Sequence, residues 1–281
     1  MKRILFSILI FFALCPVVHS AGLGFVSALS ARGATTPVYC TGAATCTATT
    51  PGSCELICED MEGASECDSD SSPDMDASCR SGWSVINGTG VTSDFTTTHS
   101  GTMPCTDKGL YAVQFNTTSA TQSYAMSKSF DADQAIVYGQ IYFNILSLTL
   151  ADGQTESILD VEDSASTDSL VDVNVTRSGA NYYLSLRCDG CASSDVGGTN
   201  LTLDGTKWYR LGFEFDQTND HATIYLDGVK EAERTDYTDT TAQRRIRIGG
   251  QSATYRAATT FSFQVDNIAV SATALPGACN Q

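Results

Sequence analysis

The fold of this chain is constrained most by the stretch Lys207–Ala232, where apolar and polar residues alternate through two consecutive runs. The apolar members stand at every second position within each run: Leu211, Phe213, Phe215, Ala222, Ile224 and Leu226. This period is typical of strands with one buried and one exposed face, so the polar break at Gln217–Asp220 predicts a hairpin. Asp227-Gly228 predicts a second tight turn. Hairpins that are apolar on one side must pack against another sheet.

The same alternation extends from Leu110 to Ser271, and no stretch in this region has convincing helical periodicity. Trp83 follows a short acidic segment and is predicted to anchor the core at the start of another strand. Many short alternating strands separated by turn residues are typical of an all-β antiparallel sandwich or barrel. The apolar faces are too numerous for a small barrel around a ligand, so two stacked sheets are predicted.

The N-terminus and the composition indicate a secreted or periplasmic protein. Residues 1–20 have the pattern of a signal peptide, with Lys2-Arg3 before a short apolar run and small residues around the expected cleavage site after Ser20. No later apolar stretch is long enough to span a membrane. The formal net charge of -16 disfavours nucleic acid as a partner, because an acidic surface repels phosphates.

The cysteines predict disulfides. Cys15 lies in the signal peptide, which leaves ten of the 11 cysteines, an even number that is typical of disulfide-stabilised secreted chains. Residues 21–57 form an irregular arm rich in Cys and Thr, and residues 58–281 form the sandwich domain. The cysteines predicted to form disulfides are Cys40, Cys46, Cys67, Cys79, Cys188 and Cys191.

Residues 58–275 resemble the concanavalin A-like jelly roll, in its laminin G-like and glucanase-like branch. Three segments carry this resemblance: CEDMEG at 58–63 followed by Trp83, KWYRLGFEFD with ATIYLDGV in the hairpin, and FSFQVDNIAVS at 261–271. The resemblance implies a two-sheet antiparallel jelly-roll sandwich, and such segments indicate a fold more than an activity.

The glucanases of this superfamily use carboxylates spaced along one strand, and the nearest match is Ile158–Glu162. Asp160 and Glu162 fit this spacing as catalytic carboxylates, but Ile158 stands where the nucleophile belongs. Without a nucleophile no covalent intermediate forms. The alternative interpretation is that Asp160 and Glu162 are ordinary exposed strand residues.

Polysaccharide lyases on the same fold need a basic cluster and a Tyr or His that removes a proton. The strand motifs expected of these lyases are absent, so the arginines are interpreted as a surface for an anionic glycan, or as scattered surface charge. Tyrosines with exposed-face parity are candidate platforms for sugar rings. The predicted ligand-binding residues are Tyr142, Tyr183, Arg187, Arg210, Arg245 and Arg247.

Two further sites follow from the resemblance and from spacing. The resemblance implies a structural calcium ion held by Glu59 or Glu62 together with Asp266, since calcium prefers oxygen ligands. Cys188-Asp-Gly-Cys191 has the spacing of redox or zinc pairs, but a strand precedes it and no second ligand pair accompanies it, so a small disulfide is favoured.

These observations lead to the hypothesis of a secreted, non-catalytic module that binds a glycan or cell-surface polysaccharide. A divergent glycoside hydrolase or polysaccharide lyase is the alternative, and a purely structural adhesion protein is the third possibility.

Overall fold

The computed structural model describes residues 56–59, 83–87, 92–98, 100–102, 111–117, 124–163, 169–250, 258 and 260–276. In these residues the strands are β1 (Ile57–Glu59), β2 (Trp83–Asn87), β3 (Thr92–Thr98), β4 (Tyr111–Thr117), β5 (Tyr124–Gln134), β6 (Ile136–Thr149), β7 (Thr155–Glu162), β8 (Ser169–Ser178), β9 (Asn181–Cys188), β10 (Asp195–Val196), β11 (Tyr209–Asp216), β12 (His221–Leu226), β13 (Val229–Arg234), β14 (Gln243–Gly250) and β15 (Thr260–Ser271). A single 3-10 turn, Gln217–Asn219, is the other regular element of this part of the chain.

The strands form two sheets whose paired strands are all antiparallel. Sheet A has the order β13-β12-β11-β6-β15-β4-β3, with β1 also paired to β15. Sheet B has the order β10-β9-β8-β7-β14-β5-β2. The chain moves between the sheets at β5 to β6 and again at β6 to β7, so the predicted two-sheet antiparallel jelly-roll sandwich is confirmed.

The hairpin predicted at Lys207–Ala232 forms the β11–β12 pair of sheet A. Leu211 lies opposite Leu226 and Phe213 lies opposite Ile224, which places their side chains on one face. The turn that follows begins with Asp227 at φ 52° and Gly228 at φ 87°, both in the left-handed region that tight hairpin turns require. The alternation in the sequence therefore predicted both strands, and the Asp227-Gly228 pair predicted the turn.

The core lies between the two sheets and combines aromatic residues of sheet A with β-branched residues of sheet B. Phe213 stacks on Phe215 with ring centroids 5.1 Å apart. Val161 and Val173 of sheet B are fully buried in the same cluster. Trp83 is 3% exposed, so its predicted role as a core anchor is confirmed.

Sheet A begins just before the predicted domain boundary. Leu56 donates a backbone hydrogen bond to Val270 at 2.9 Å, and Ile57 pairs with Val270 in β15. The other residues of the predicted arm, and the predicted signal peptide 1–20, lie outside the described residues. Across the described ranges, no helix has the length and apolar character needed to cross a membrane.

Gly139 is required by the packing of the core face of sheet A. It lies opposite Phe213, and a Cβ atom added at Gly139 would overlap the Phe213 ring. Gly139→Ala is therefore expected to lower the free energy of unfolding by about 1–3 kcal/mol, as overpacking does. Urea unfolding followed by circular dichroism measures this change.

Gly198→Ala is the matched control, because Gly198 is exposed and has no atom within 4 Å of an added Cβ. Combining Gly139→Ala with Phe213→Leu should cost less than the sum of the two single changes, since the smaller side chain leaves room for the methyl group. Equal losses at Gly139 and Gly198 would contradict the packing argument.

Candidate functional site

The predicted ligand-binding residues are divided between the two sheets. On one face of sheet B, the strand register aligns Arg247 with Asp160, Asp160 with Asp172, and Asp172 with Arg187. The same face also carries Tyr183, Glu162 and Arg245. Side chains alternate between the two faces along a strand, and each of these residues is an even number of positions from the member of the row on its own strand. Tyr142 and Arg210 lie opposite each other on the outer face of sheet A. The predicted set is therefore not one site.

The charges on the polar face of sheet B compensate one another. We define the charged cluster as Asp160, Glu162, Asp172, Arg187, Arg245 and Arg247. Arg245 Nε is 2.7 Å from Glu162 Oε2, and Arg247 contacts Glu162 through its Nη2 atom. The other contacts are longer, with Arg247 Nε 3.5 Å from Asp160 Oδ2 and Arg187 Nη1 3.4 Å from Asp172 Oδ2. The expectation of a basic surface is wrong here, because every arginine of the cluster faces a carboxylate.

The centre of this cluster is buried. Arg247 is 4% exposed, Asp160 2% and Glu162 1%. The alternative interpretation of Asp160 and Glu162 as ordinary exposed strand residues is therefore wrong, and Arg247 is not accessible as a ligand-binding residue. Strand β7, which contains both carboxylates, lies between β8 and β14, and the arginine side chains of β14 contact these carboxylates. Buried charges persist where they are paired, since an isolated charge loses its hydration without compensation. The flanks remain accessible: the Arg187 side chain is 37% exposed, the Arg245 side chain is 18% exposed and Tyr183 is half-buried.

Strand β7 contains a β-bulge that the sequence pattern did not reveal. Ser157 pairs with Asn174 and Leu159 with Val173, so Ile158 is an extra residue. The bulge places Glu156 opposite Val175, on the face away from Asp160, where its Oε2 accepts a hydrogen bond from the Ala258 amide at 2.7 Å. Strict alternation along β7 would place Glu156 on the same face as Asp160, and the extra residue reverses this.

Asp172 is the member of the cluster that sequence reasoning did not select. It lies directly opposite Asp160, and burial together with the Asp160 charge holds the pKa of Asp172 well above its usual range. Burial also raises the pKa of Asp160, but Arg247 and a 2.7 Å hydrogen bond from Ser157 oppose that rise. Burial and mutual repulsion therefore oppose ionisation of both carboxyls together. The pattern of residues within one strand does not show which residues lie opposite each other. This pair is therefore found only when the register between β7 and β8 is known.

The outer face of sheet A is more enclosed near Tyr142 than the alternation of residues along β6 predicts. Tyr142 is 2% exposed, so the expectation of an accessible sugar platform at this residue is wrong. Two residues further along β6, Asn144 donates hydrogen bonds to the carbonyls of Ser100 and Gly205, each at 2.8 Å. These loop segments cross the sheet there. Arg210 remains half-buried at the β11–β12 end of the face.

The predicted calcium ligands are described only in part. Asp266 is fully buried in β15, and its Oδ1 accepts a 2.6 Å hydrogen bond from the amide of Asn267. Asn267 Oδ1 is buried and accepts no hydrogen bond within the described ranges. Glu59 lies opposite Ile268, but its side chain, like all of Glu62, is outside the described residues. One carboxylate and one buried amide oxygen fit the ligands that calcium prefers.

Cys188 and Cys191 form a disulfide at the end of β9, as predicted. Their Cα atoms are 5.3 Å apart, within the usual range for a disulfide. The Asp236 carboxylate lies nearby, but sulfur atoms bonded to each other are not available as zinc ligands. The other cysteines of the prediction, Cys40, Cys46, Cys67 and Cys79, lie outside the described residues.

Comparison with known proteins gives similarity to solved structures alone. No protein-family model matches the chain. No curated protein matches it in sequence. A sialidase structure aligns with a TM-score of 0.49 at 11% identity over 68% of this chain, which spans only 17% of the sialidase. A marine alginate lyase from Zobellia galactanivorans aligns with a TM-score of 0.46 at 12% identity, covering 67% of this chain and 94% of the lyase. The globular domain of T. cruzi calreticulin aligns with a TM-score of 0.43 at 9% identity, covering 68% and 84% respectively.

Proposed function

We propose that this chain is a secreted, non-catalytic carbohydrate-binding module of the laminin G-like type, which binds a glycan at the β8–β9 side of the polar face of sheet B. The observation that carries the proposal is the position of Tyr183 and Arg187. Both project from β9 onto one face and stay partly accessible, whereas the carboxylates of the charged cluster and Arg247 are buried. The two residues are four positions apart on the strand, roughly 13 Å. A sugar chain can therefore pack its CH groups on the ring while its hydroxyls accept hydrogen bonds from the guanidinium.

The balance of charge favours a neutral glycan over an anionic one. Arg187 faces Asp172, and the two other arginines of the cluster are paired deeper in the sheet. The whole chain has a formal net charge of -16, which repels polyanions at long range. Arg187 therefore acts as a hydrogen-bond donor in this proposal, with no net positive field around it.

The same contacts disfavour a glucanase mechanism on Asp160 and Glu162. A glycosidase needs one carboxyl to donate a proton and a second one to attack or to activate water. Glu162 is held by two arginines. Because Ile158 is the extra residue of the bulge, Ser157 precedes Asp160 on the polar face, and neither Ser157 nor Ile158 supplies the carboxylate nucleophile. We therefore assign the pair Asp160 and Glu162 to the stability of the sheet.

A glycan array probed with the whole protein, with and without calcium, tests the proposal. Arg187→Ala and Tyr183→Ala should each weaken binding of the best neutral glycan by roughly tenfold, the value of about one hydrogen bond to a charged group. Arg244→Ala is the control, since Arg244 is a partly exposed arginine that faces Asp133. If calcium occupies the site at Asp266, its removal with a chelator should lower the melting temperature. Glycan binding that both β9 variants leave unchanged would contradict the proposal.

One observation favours an enzyme as the alternative, a divergent glycoside hydrolase or polysaccharide lyase. Asp172 lies opposite Asp160, and burial raises the pKa of both carboxyls, as is common for a general acid. Assays for reducing sugars and for unsaturated uronates decide between the functions. Turnover that disappears in Asp172→Asn, or in the double variant Asp160→Asn with Glu162→Gln, would overturn the non-catalytic proposal.

A further inference from the structure

A second group of polar and aromatic side chains lies on the outer face of sheet A, on the other side of the sandwich from the charged cluster. The register places Tyr138 of β6 opposite Glu214 of β11, and Glu214 opposite Thr223 of β12. Tyr225 follows Thr223 by two residues and so projects from the same face, diagonal to Glu214. We call Tyr138, Glu214 and Tyr225 the Tyr–Glu patch.

Glu214 differs from the other acidic residues of this face in its partners. Asp216 accepts hydrogen bonds from the amides of Thr218 at 2.8 Å and Asn219 at 3.1 Å. Glu233 contacts His221 Nε2 at 2.7 Å and Lys230 Nζ at 2.6 Å.

Glu214, in contrast, forms no ion pair with the arginines, lysines or histidines of the described ranges. The Glu214 carboxylate accepts a hydrogen bond from the hydroxyl of Tyr225. Its negative charge is therefore compensated by neither a cation nor a helix terminus.

The two tyrosines respond to this charge. Burial, and then the charge of Glu214, raise the pKa of Tyr138. Burial and Glu214 also raise the pKa of Tyr225, while Lys230 opposes the rise. Both phenols therefore stay neutral and keep their O–H groups, and both rings are only half-buried. A carboxylate between two accessible aromatic rings attracts a cation, through its charge and through the negative faces of the rings.

The surface beside Tyr225 is partly apolar. Gly212 lies between Gln140 and Tyr225 in the register and is buried beneath Leu275. The nearest atoms to a Cβ added at Gly212 would be Tyr225 Cβ at 3.5 Å and the Leu275 methyl groups at 3.7 Å. Leu275 is 37% exposed, so it extends the apolar surface next to the Tyr225 ring.

We propose that the Tyr–Glu patch binds a protonated amino sugar. The ammonium group contacts the Glu214 carboxylate, and the CH face of the sugar ring packs on Tyr225 and Leu275. The Tyr138 hydroxyl hydrogen-bonds to the sugar from the other side. The formal net charge of -16 attracts a cationic oligosaccharide at long range. This site lies on sheet A and does not depend on the glycan site proposed on sheet B.

Calorimetric titration of the whole protein with a glucosamine hexasaccharide tests the proposal. Glu214→Gln should weaken binding at least tenfold, because the amide has no charge, and Tyr225→Ala should weaken it comparably. Arg244→Ala, a change at a partly exposed arginine outside both proposed sites, is expected to leave this binding unchanged. Loss of binding in Arg187→Ala but not in Glu214→Gln would assign the sugar to the site on sheet B, so failure of one site is distinguishable from failure of the other. Thermal unfolding establishes that each variant is folded.

The fully N-acetylated hexasaccharide and a trilysine peptide separate the contributions of charge and ring. In the double variant Tyr183→Ala with Arg187→Ala, which removes the proposed neutral-glycan site on sheet B, the acetylated sugar should bind at least tenfold more weakly than the glucosamine form. Raising the salt concentration should weaken binding of the glucosamine form. Equal affinity for both sugars would overturn the proposed role of Glu214. Trilysine binding as tight as that of glucosamine hexasaccharide would overturn the proposed sugar specificity.

Discussion

Arg247→Met is expected to lower the free energy of unfolding by about 3–5 kcal/mol, the usual cost of removing one partner from a buried ion pair. Arg247 contacts both Asp160 and Glu162, and each of the three side chains is at most 5% exposed. The change leaves two carboxylates buried with less compensation, so their pKa values should rise. Urea unfolding at pH 7 and at pH 4 measures both effects. The loss should be smaller at pH 4, because protonation removes the buried charge.

Two further variants determine whether the loss comes from the ion pairs. Arg187→Met removes a cation from the same face, but the Arg187 side chain is 37% exposed, so about 1 kcal/mol or less is expected. Adding Glu162→Gln to Arg247→Met should recover part of the stability, since one uncompensated charge is then removed. Equal losses for Arg247→Met and Arg187→Met would contradict a structural role for the buried pairs.

The sequence was sufficient for the strands, because burial of one face leaves a period of two in the residues themselves. The β11–β12 hairpin, its Asp227-Gly228 turn and the core position of Trp83 all follow from local pattern, and all are present in the structure. The disulfide between Cys188 and Cys191 was also predictable from local sequence, because both partners lie within one turn.

The candidate sites were less predictable, because they depend on which strands are neighbours. Tyr142 and Arg187 have the same exposed parity in the sequence, but they lie on different sheets. The bulge at Ile158 moves the Glu156 side chain to the other face of the sheet. The alternation of apolar and polar residues in the sequence does not reveal such an extra residue. Burial of polar groups was also missed, because a charged residue such as Arg247 is assigned to solvent unless its partners on adjacent strands are known.

The pair Asp160 and Asp172 is expected to respond to neutralisation with opposite signs. Burial and the Asp160 charge favour the protonated form of Asp172, and Asp172→Asn supplies a neutral amide that can still donate to Asp160. Its stability at pH 8 should equal or exceed that of the parent protein. Asp160→Asn removes a counter-charge of Arg247 and should cost about 3 kcal/mol, at the lower end of the range for buried pairs because Glu162 remains.

The pH dependence of unfolding identifies the protonated residue. The pKa of Asp172 is raised in the folded state. At pH values between the unfolded pKa and the folded pKa, the folded protein therefore binds more protons than the unfolded chain. The stability contributed by this proton is complete below the unfolded value of about 3.9 and is lost as the pH rises through the folded value. The difference in urea midpoint between Asp172→Asn and the parent should therefore grow in favour of the variant from pH 4 upward, while contributions from other carboxyls cancel. A difference that shrinks with rising pH would mean that the ionised form of Asp172 stabilises the fold, and Arg187 would then be its functional partner.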